Sequence, residues 1–118
     1  MNLASVIHAL DGETLVPGEA YEEEPVGHVV ASDLMSDVLT VNEDRVVLLT
    51  ALASDQALRT AQMIGALGVI VVNNKHLPSS MRRIAAETGL TLARTPLPQF
   101  EACCRLGAVL SPGGREPR

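Results

Sequence analysis

The sequence predicts an α/β fold: a single-domain sandwich with a mostly parallel central sheet of about five strands, flanked by helices. Three observations predict it. Short apolar runs rich in β-branched residues alternate with segments of helical periodicity, the pattern of parallel strands joined by right-handed crossovers. The runs at 46–49 and 69–72 are continuous, which suits strands covered on both faces. Four strand–helix units recur about every 20 residues with no matching side-chain repeat, which is layering and not a solenoid.

Each element has a local reason. Leu3, Val6, Ile7 and Leu10 form the stripe of a short amphipathic helix, which Asp11-Gly12 stops through glycine's tolerance of the left-handed conformation. Thr14–Val16 is a short strand closed by Pro17-Gly18, and residues 19–26 are acidic and unperiodic, a solvated loop. Gly27–Ser32 reads as a strand, Asp33–Leu39 as a short helix, and Arg45–Thr50 as a buried strand. Ser54 is placed to cap a helix carrying Ala57, Leu58, Ala61, Ile64 and Leu67, which Gly68 closes before the strand Val69–Val72. Pro78 and Ser79 open the next helix and Gly89 ends it. Leu90–Ala93 is a strand, and Thr95-Pro96 is a cap with proline at the first helical position. That last helix stops at Gly107, so the domain covers residues 1–110 and residues 111–118 (SPGGREPR) are expected to be a disordered tail.

Composition excludes several function classes. The longest apolar run, Leu67–Val72, is far short of the roughly 20 residues a membrane-spanning helix needs. The N-terminus has no basic region before its apolar residues, and His8 and Asp11 interrupt them, so no secretion signal is read and a cytoplasmic protein is expected. Nine scattered basic residues and two aromatics, Tyr21 and Phe100, make a poor nucleic-acid surface. Cys103 and Cys104 are adjacent, not spaced as a redox or zinc motif, and are expected to be reduced thiols with at least one buried. His8, His28 and His76 lack metal-ligand spacing, and no metal or cofactor is expected; His28 reads as a satisfied, half-buried strand residue.

Charge is unevenly distributed. Residues 1–44 contain ten acids and no Lys or Arg, a formal −10, whereas residues 45–118 carry nine bases against four acids, a formal +5. The acidic segment is expected to face basic side chains such as Arg45, Arg59 or Arg82, within a subunit or across a dimer.

In open parallel sheets, ligands bind beyond the C-terminal ends of the strands. Four segments reach that edge: 32–37, 50–55, 73–76 and 94–95. In the first, Ser32 and the helix N–H groups could receive a phosphate or carboxylate, while Asp33 and Asp37, four apart on one helix face, grip a ribose hydroxyl or amine. Against this, a carboxylate at a helix start already occupies the anion position and serves as a cap. Thr50 and its neighbours offer hydroxyls at a second strand–helix junction, where Ser54 as a cap is the competing account. In the third, Asn73 and Asn74 tolerate positive φ in a tight turn, and the chain's single lysine, Lys75, is placed to meet an anion or simply to be solvated. The chain lacks a dinucleotide fingerprint, a P-loop, a nucleophile elbow and the late lysine of a phosphoacceptor receiver domain.

Taken together, these segments resemble the DRTGG domain family from the N-terminal helix to about Leu110. The family opens with a helix and short strand, matched by LASVIHALDGETLVPG. It continues as G-x-x-x-A-S-D-x-x-S-D-V, matched by GHVVASDLMSDVL at Gly27–Leu39. Asp44-Arg45 stands where the family's Asp-Arg pair leads the next strand, and Asn73, Asn74 and Lys75 replace its Thr-Gly-Gly while Pro78 keeps its place. The resemblance implies a small α/β domain related to the N-terminal region of bacterial HPr kinase/phosphatase. The same domain accompanies phosphotransacetylases and CBS-containing pyrophosphatases as a regulatory or dimerisation module.

The expected function is therefore a stand-alone, non-catalytic regulatory domain. It forms a homodimer and binds a small, nucleotide-like ligand through Ser32, Asp33, Ser36, Asp37, Thr50, Asn73, Asn74 and Lys75. An adaptor for a partner enzyme, with no small ligand, is the alternative. A small Mg²⁺-dependent enzyme using Asp33, Asp37 and Thr50 is the third reading, and it lacks a recognisable nucleophile.

Overall fold

The computed structural model describes residues 1–110, and the tail expected at 111–118 lies outside them. In chain order the elements are α1 (Leu3–Ala9), β1 (Glu13–Val16), β2 (His28–Ala31), α2 (Met35–Val38), β3 (Val46–Thr50), α3 (Asp55–Met63), β4 (Gly68–Val71), α4 (Ser79–Thr88), β5 (Thr91–Arg94) and α5 (Gln99–Val109). They form one five-stranded sheet in the order β1-β5-β4-β3-β2. The ladders from β2 to β5 are parallel, and β1 joins β5 antiparallel. The α/β class and the mostly parallel sheet are as the sequence predicts.

The strand order explains the layers. From β2 to β5 each strand is added beside the previous one, always in the same direction. Right-handed crossovers progressing one way place every connecting helix on one face. Accordingly α2, α3 and α4 pack there, burying Met35, Val38, Leu58, Met81 and Ile84 against Val46, Leu48, Val69, Val71 and Leu92. The opposite face would be bare without the two terminal helices. It is covered by α1 and α5, through Leu3, Val6, Leu10, Ala102 and Leu106 against Val47, Leu49, Ile70 and Ala93. Alternate residues of β3 and β4 serve alternate cores, which is why both strands are fully buried and read as continuous apolar runs.

Several boundaries differ from expectation, each because a tertiary contact outweighs a local preference. Helix α3 ends at Met63 and turns through Gly65, whereas Gly68 is the first residue of β4. Gly68 is needed for close approach: a Cβ there would stand 2.6 Å from the Thr91 carbonyl oxygen of β5. Helix α5 starts at Gln99, not Pro96, because the Thr95 hydroxyl accepts the Leu97 N–H and holds an extra turn before the helix. It then runs through Gly107 to Val109. After α1 the left-handed residue is Asp11 (φ 52°) and not Gly12. Ser54 makes no side-chain cap to α3. The loop at 19–26 is exposed at Glu22–Glu24 yet anchored, with Val26 buried and the Tyr21 hydroxyl 3.0 Å from that of Thr14.

Neither cysteine is buried: Cys103 is half-buried and Cys104 exposed, both as free thiols. Partial burial, and then the neighbouring Cys104, push the Cys103 thiol above its ordinary range. His28 is half-buried as expected, but its Nδ1 is enclosed with no hydrogen-bond partner among the described residues. The acidic segment does meet the basic one, through other arginines than those expected. Arg94 pairs with Glu13 at 3.0 Å and Arg105 with Asp11 at 2.7 Å, both within the subunit.

Candidate functional site

The parallel register brings the C-terminal ends of β2, β3, β4 and β5 to one edge, since Ala31 pairs with Leu49, Thr50 with Val71 and Val71 with Arg94. The four loops that leave these strands carry the expected site residues. Two separate hydrogen-bonded knots form there among the described residues.

The first knot is built on Asp33. Its Oδ1 accepts the Ala51 N–H at 2.7 Å and the Thr50 hydroxyl at 3.1 Å. The Thr50 oxygen, fully buried, in turn accepts the Leu52 N–H at 3.1 Å. One carboxylate thus fastens the β2–α2 loop to the β3–α3 loop. The sequence predicts Asp33 on a helix face with Asp37, or as the cap of its own helix. Neither holds, because α2 begins only at Met35 and its N-cap, Leu34, has no side-chain bond. Ser32 stays local, its hydroxyl oxygen accepting the Leu34 N–H at 3.1 Å. Ser36 and Asp37 lie exposed on α2, where the Asp37 carbonyl accepts the Thr40 hydroxyl.

Substitution separates the fastening role from a proton-transfer role. Asp33→Asn keeps an amide oxygen for both donors and is expected to leave the midpoint of urea unfolding nearly unchanged. Asp33→Ala leaves two donors unpaired and is expected to cost about 1–3 kcal/mol.

The second knot lies at the β4–α4 turn. Asn73 and Asn74 take positive φ, 69° and 53°, as the sequence reading anticipates for asparagine in a tight turn. That turn delivers their N–H groups to the Leu97 and Thr95 carbonyls at 2.8 and 3.0 Å, joining it to the β5–α5 loop. Glycine takes this conformation freely, so Asn74→Gly is expected to be neutral or slightly stabilising. Asn74→Ala is expected to lose about 1 kcal/mol, read by thermal unfolding. Lys75 is exposed, and its carbonyl accepts from Arg94 Nη1 at 3.3 Å.

Sequence reasoning missed the residues that tie this edge together from outside. Arg94 bridges Glu13 of β1 and Lys75 of the turn. Ser80 at the start of α4 donates to Asp55 at the start of α3 at 2.7 Å. These pairs lie 19 to 81 residues apart, so no local spacing announces them. At the opposite, N-terminal end of the strands is a cavity of about 390 Å³ lined by Glu19, Glu23, Glu24, Leu67, Thr88 and Gly89. Among the described residues no three His, Cys, Asp or Glu side chains converge as a metal cage, and none of the helices is long and apolar enough to cross a membrane.

The strand order bears on this edge as well. Between β2 and β5 it never reverses, so neighbouring loops are not splayed apart as they are where two halves of a sheet wind in opposite directions. The edge is a row of mutually bonded loops. No family model matches this chain, and no curated protein matches it.

Proposed function

We propose that this chain is a non-catalytic regulatory domain of the DRTGG type, acting as a homodimer and sensing a small nucleotide-like ligand at the C-terminal loop edge. The observation that carries this reading is the fastening of Asp33 to Thr50 and Ala51. A carboxylate held by two donors links two loops at the exit of an edge strand, and a ligand competing for those donors shifts both loops together. The exposed Lys75 supplies the positive charge for a phosphate or acyl phosphate, while Ser36 and Asp37 remain exposed for hydroxyl or amine groups. Asn74 supports the family resemblance, because it holds by side-chain tolerance a backbone conformation that the family's glycine would take freely.

The test is a thermal-shift screen of nucleotides, acyl phosphates and amino acids. At least one is expected to raise the melting temperature, and Lys75→Ala is expected to remove that shift. A screen without any stabilisation overturns the sensing role. The adaptor reading would then take its place, and it has an observation of its own: Phe100, one of two aromatics in the chain, is 81% exposed on α5.

A further inference from the structure

We infer that two copies of this chain associate through the free edge of β2, in an antiparallel register centred on Val30, to make one ten-stranded sheet. This names the surface of the homodimer proposed above and rests on that reading.

The sheet has two edges, and they are treated differently. Strand β1 carries a register shift between Thr14 and Val16, a Glu13–Arg94 ion pair and a following Pro17, all of which discourage pairing with another strand. Strand β2, His-Val-Val-Ala, has no charged residue, proline or bulge. A flat, uncharged edge is a template for a further strand.

The outward groups can be counted. His28 and Ser32 donate their N–H groups to Arg45 and Leu49 of the β3 side. In a parallel ladder alternate residues face the partner, so Val29 and Ala31 direct their N–H and C=O groups away from the sheet. A twofold axis beside Val30 sets Val29 opposite Ala31 of the second copy, and Ala31 opposite its Val29. Both are then hydrogen-bonded pairs, with Val30 facing Val30 in the close non-bonded position. A two-residue edge that is its own complement is what an isologous interface requires.

Charge selects the same register. Gly27 lies against Arg45, where a Cβ would be 3.3 Å from the Arg45 Nε. At the other end of the strand Asp33 has only its Oδ1 engaged. The pairing places Gly27 opposite Asp33 of the second copy, so an exposed arginine meets a carboxylate at both ends of the interface. Beside the strand, Leu34 and Leu39 flank α2 with 58% and 47% of their surface exposed, apolar area next to the same edge.

The test is light scattering on the full chain, with Ala31→Lys as the disruptive variant and Phe100→Ser, distant on α5, as the control. Ala31 is exposed, so the lysine is expected to leave circular dichroism and melting unchanged while setting like charges beside the axis. The wild type and Phe100→Ser are expected to be dimers, and Ala31→Lys to raise the dissociation constant by about tenfold or more. In wild-type dimer the Val29 and Ala31 amides are expected to be protected from hydrogen exchange. A dimer that Ala31→Lys leaves intact overturns the β2 edge but not the homodimer. A wild type that is monomeric throughout overturns both. If Ala31→Lys does not fold, exchange on the wild type decides alone: protected amides at Val29 and Ala31 support the edge, and free exchange in the dimer overturns it.

Discussion

Leu48→Ala is expected to lower the unfolding free energy by about 2–5 kcal/mol, measured by urea or guanidinium denaturation. Leu48 lies in β3, inside the sheet, with 0% of its surface exposed, and it packs in the core beneath α2, α3 and α4 with Leu58, Val69 and Met81. Truncation removes buried methyl groups and leaves a cavity between a sheet and helices that are fixed by their own hydrogen bonds. The chain has one phenylalanine, one tyrosine and no tryptophan, so this core is made of aliphatic side chains and contains no large ring to swing into the space. Domains of this size are stable by only about 5–15 kcal/mol, so the variant would be marginal. Met63→Ala, on a side chain 74% exposed, is the matched control and is expected to change stability by less than about 0.5 kcal/mol.

Thr95→Val is expected to be the most damaging change of a polar residue. Thr95 is fully buried; its hydroxyl donates to the Leu10 carbonyl at 2.6 Å and accepts the Leu97 N–H at 3.1 Å. Valine matches its shape and removes both bonds, leaving two buried backbone groups unpaired at about 1–3 kcal/mol each. Thr95→Ser keeps both bonds and loses one methyl group, about 1 kcal/mol. A serine variant much more stable than the valine variant therefore assigns the effect to the hydroxyl. Equal losses would assign it to packing. Thr95 also sets where α5 begins, so the valine variant is expected to lose helical ellipticity as well.

The fold was legible where the physics is local. The runs at 46–49 and 69–72 can be buried on both faces in one way only, as interior strands, and Gly89 ends α4 at φ 75° as its glycine suggests. Gly68, Pro96 and Gly107 misled, because each resembles a helix boundary in a short window. Their places are set by β5 against β4, by the Thr95 turn, and by continuing α5 packing. The site was legible only in part. The sequence located the right edge, and Asn73 and Asn74 took the conformation their chemistry allows. What Asp33 does there was hidden, because its partners Thr50 and Ala51 are 17 and 18 residues away and an aspartate near a helix start reads as a cap. The same holds for the charge split, whose partners proved to be Arg94 and Arg105 at separations of 81 and 94 residues.

Those long separations have a consequence for the order in which the molecule assembles. Strands β2 to β5 pair in sequence order, each joined to the next by a single helical crossover. Within the first sixteen residues, Leu10, Asp11 and Glu13 are tied to Thr95, Arg105 and Arg94, near the other end of the described chain. Within this domain they are synthesised before those partners and can be fixed only after them. Until β5 has been made, β1 has no partner strand, and until α5 follows, part of one face of the sheet stays open to water. The segment at α1 and β1 acts as a latch that closes only once β5 and α5 are in place.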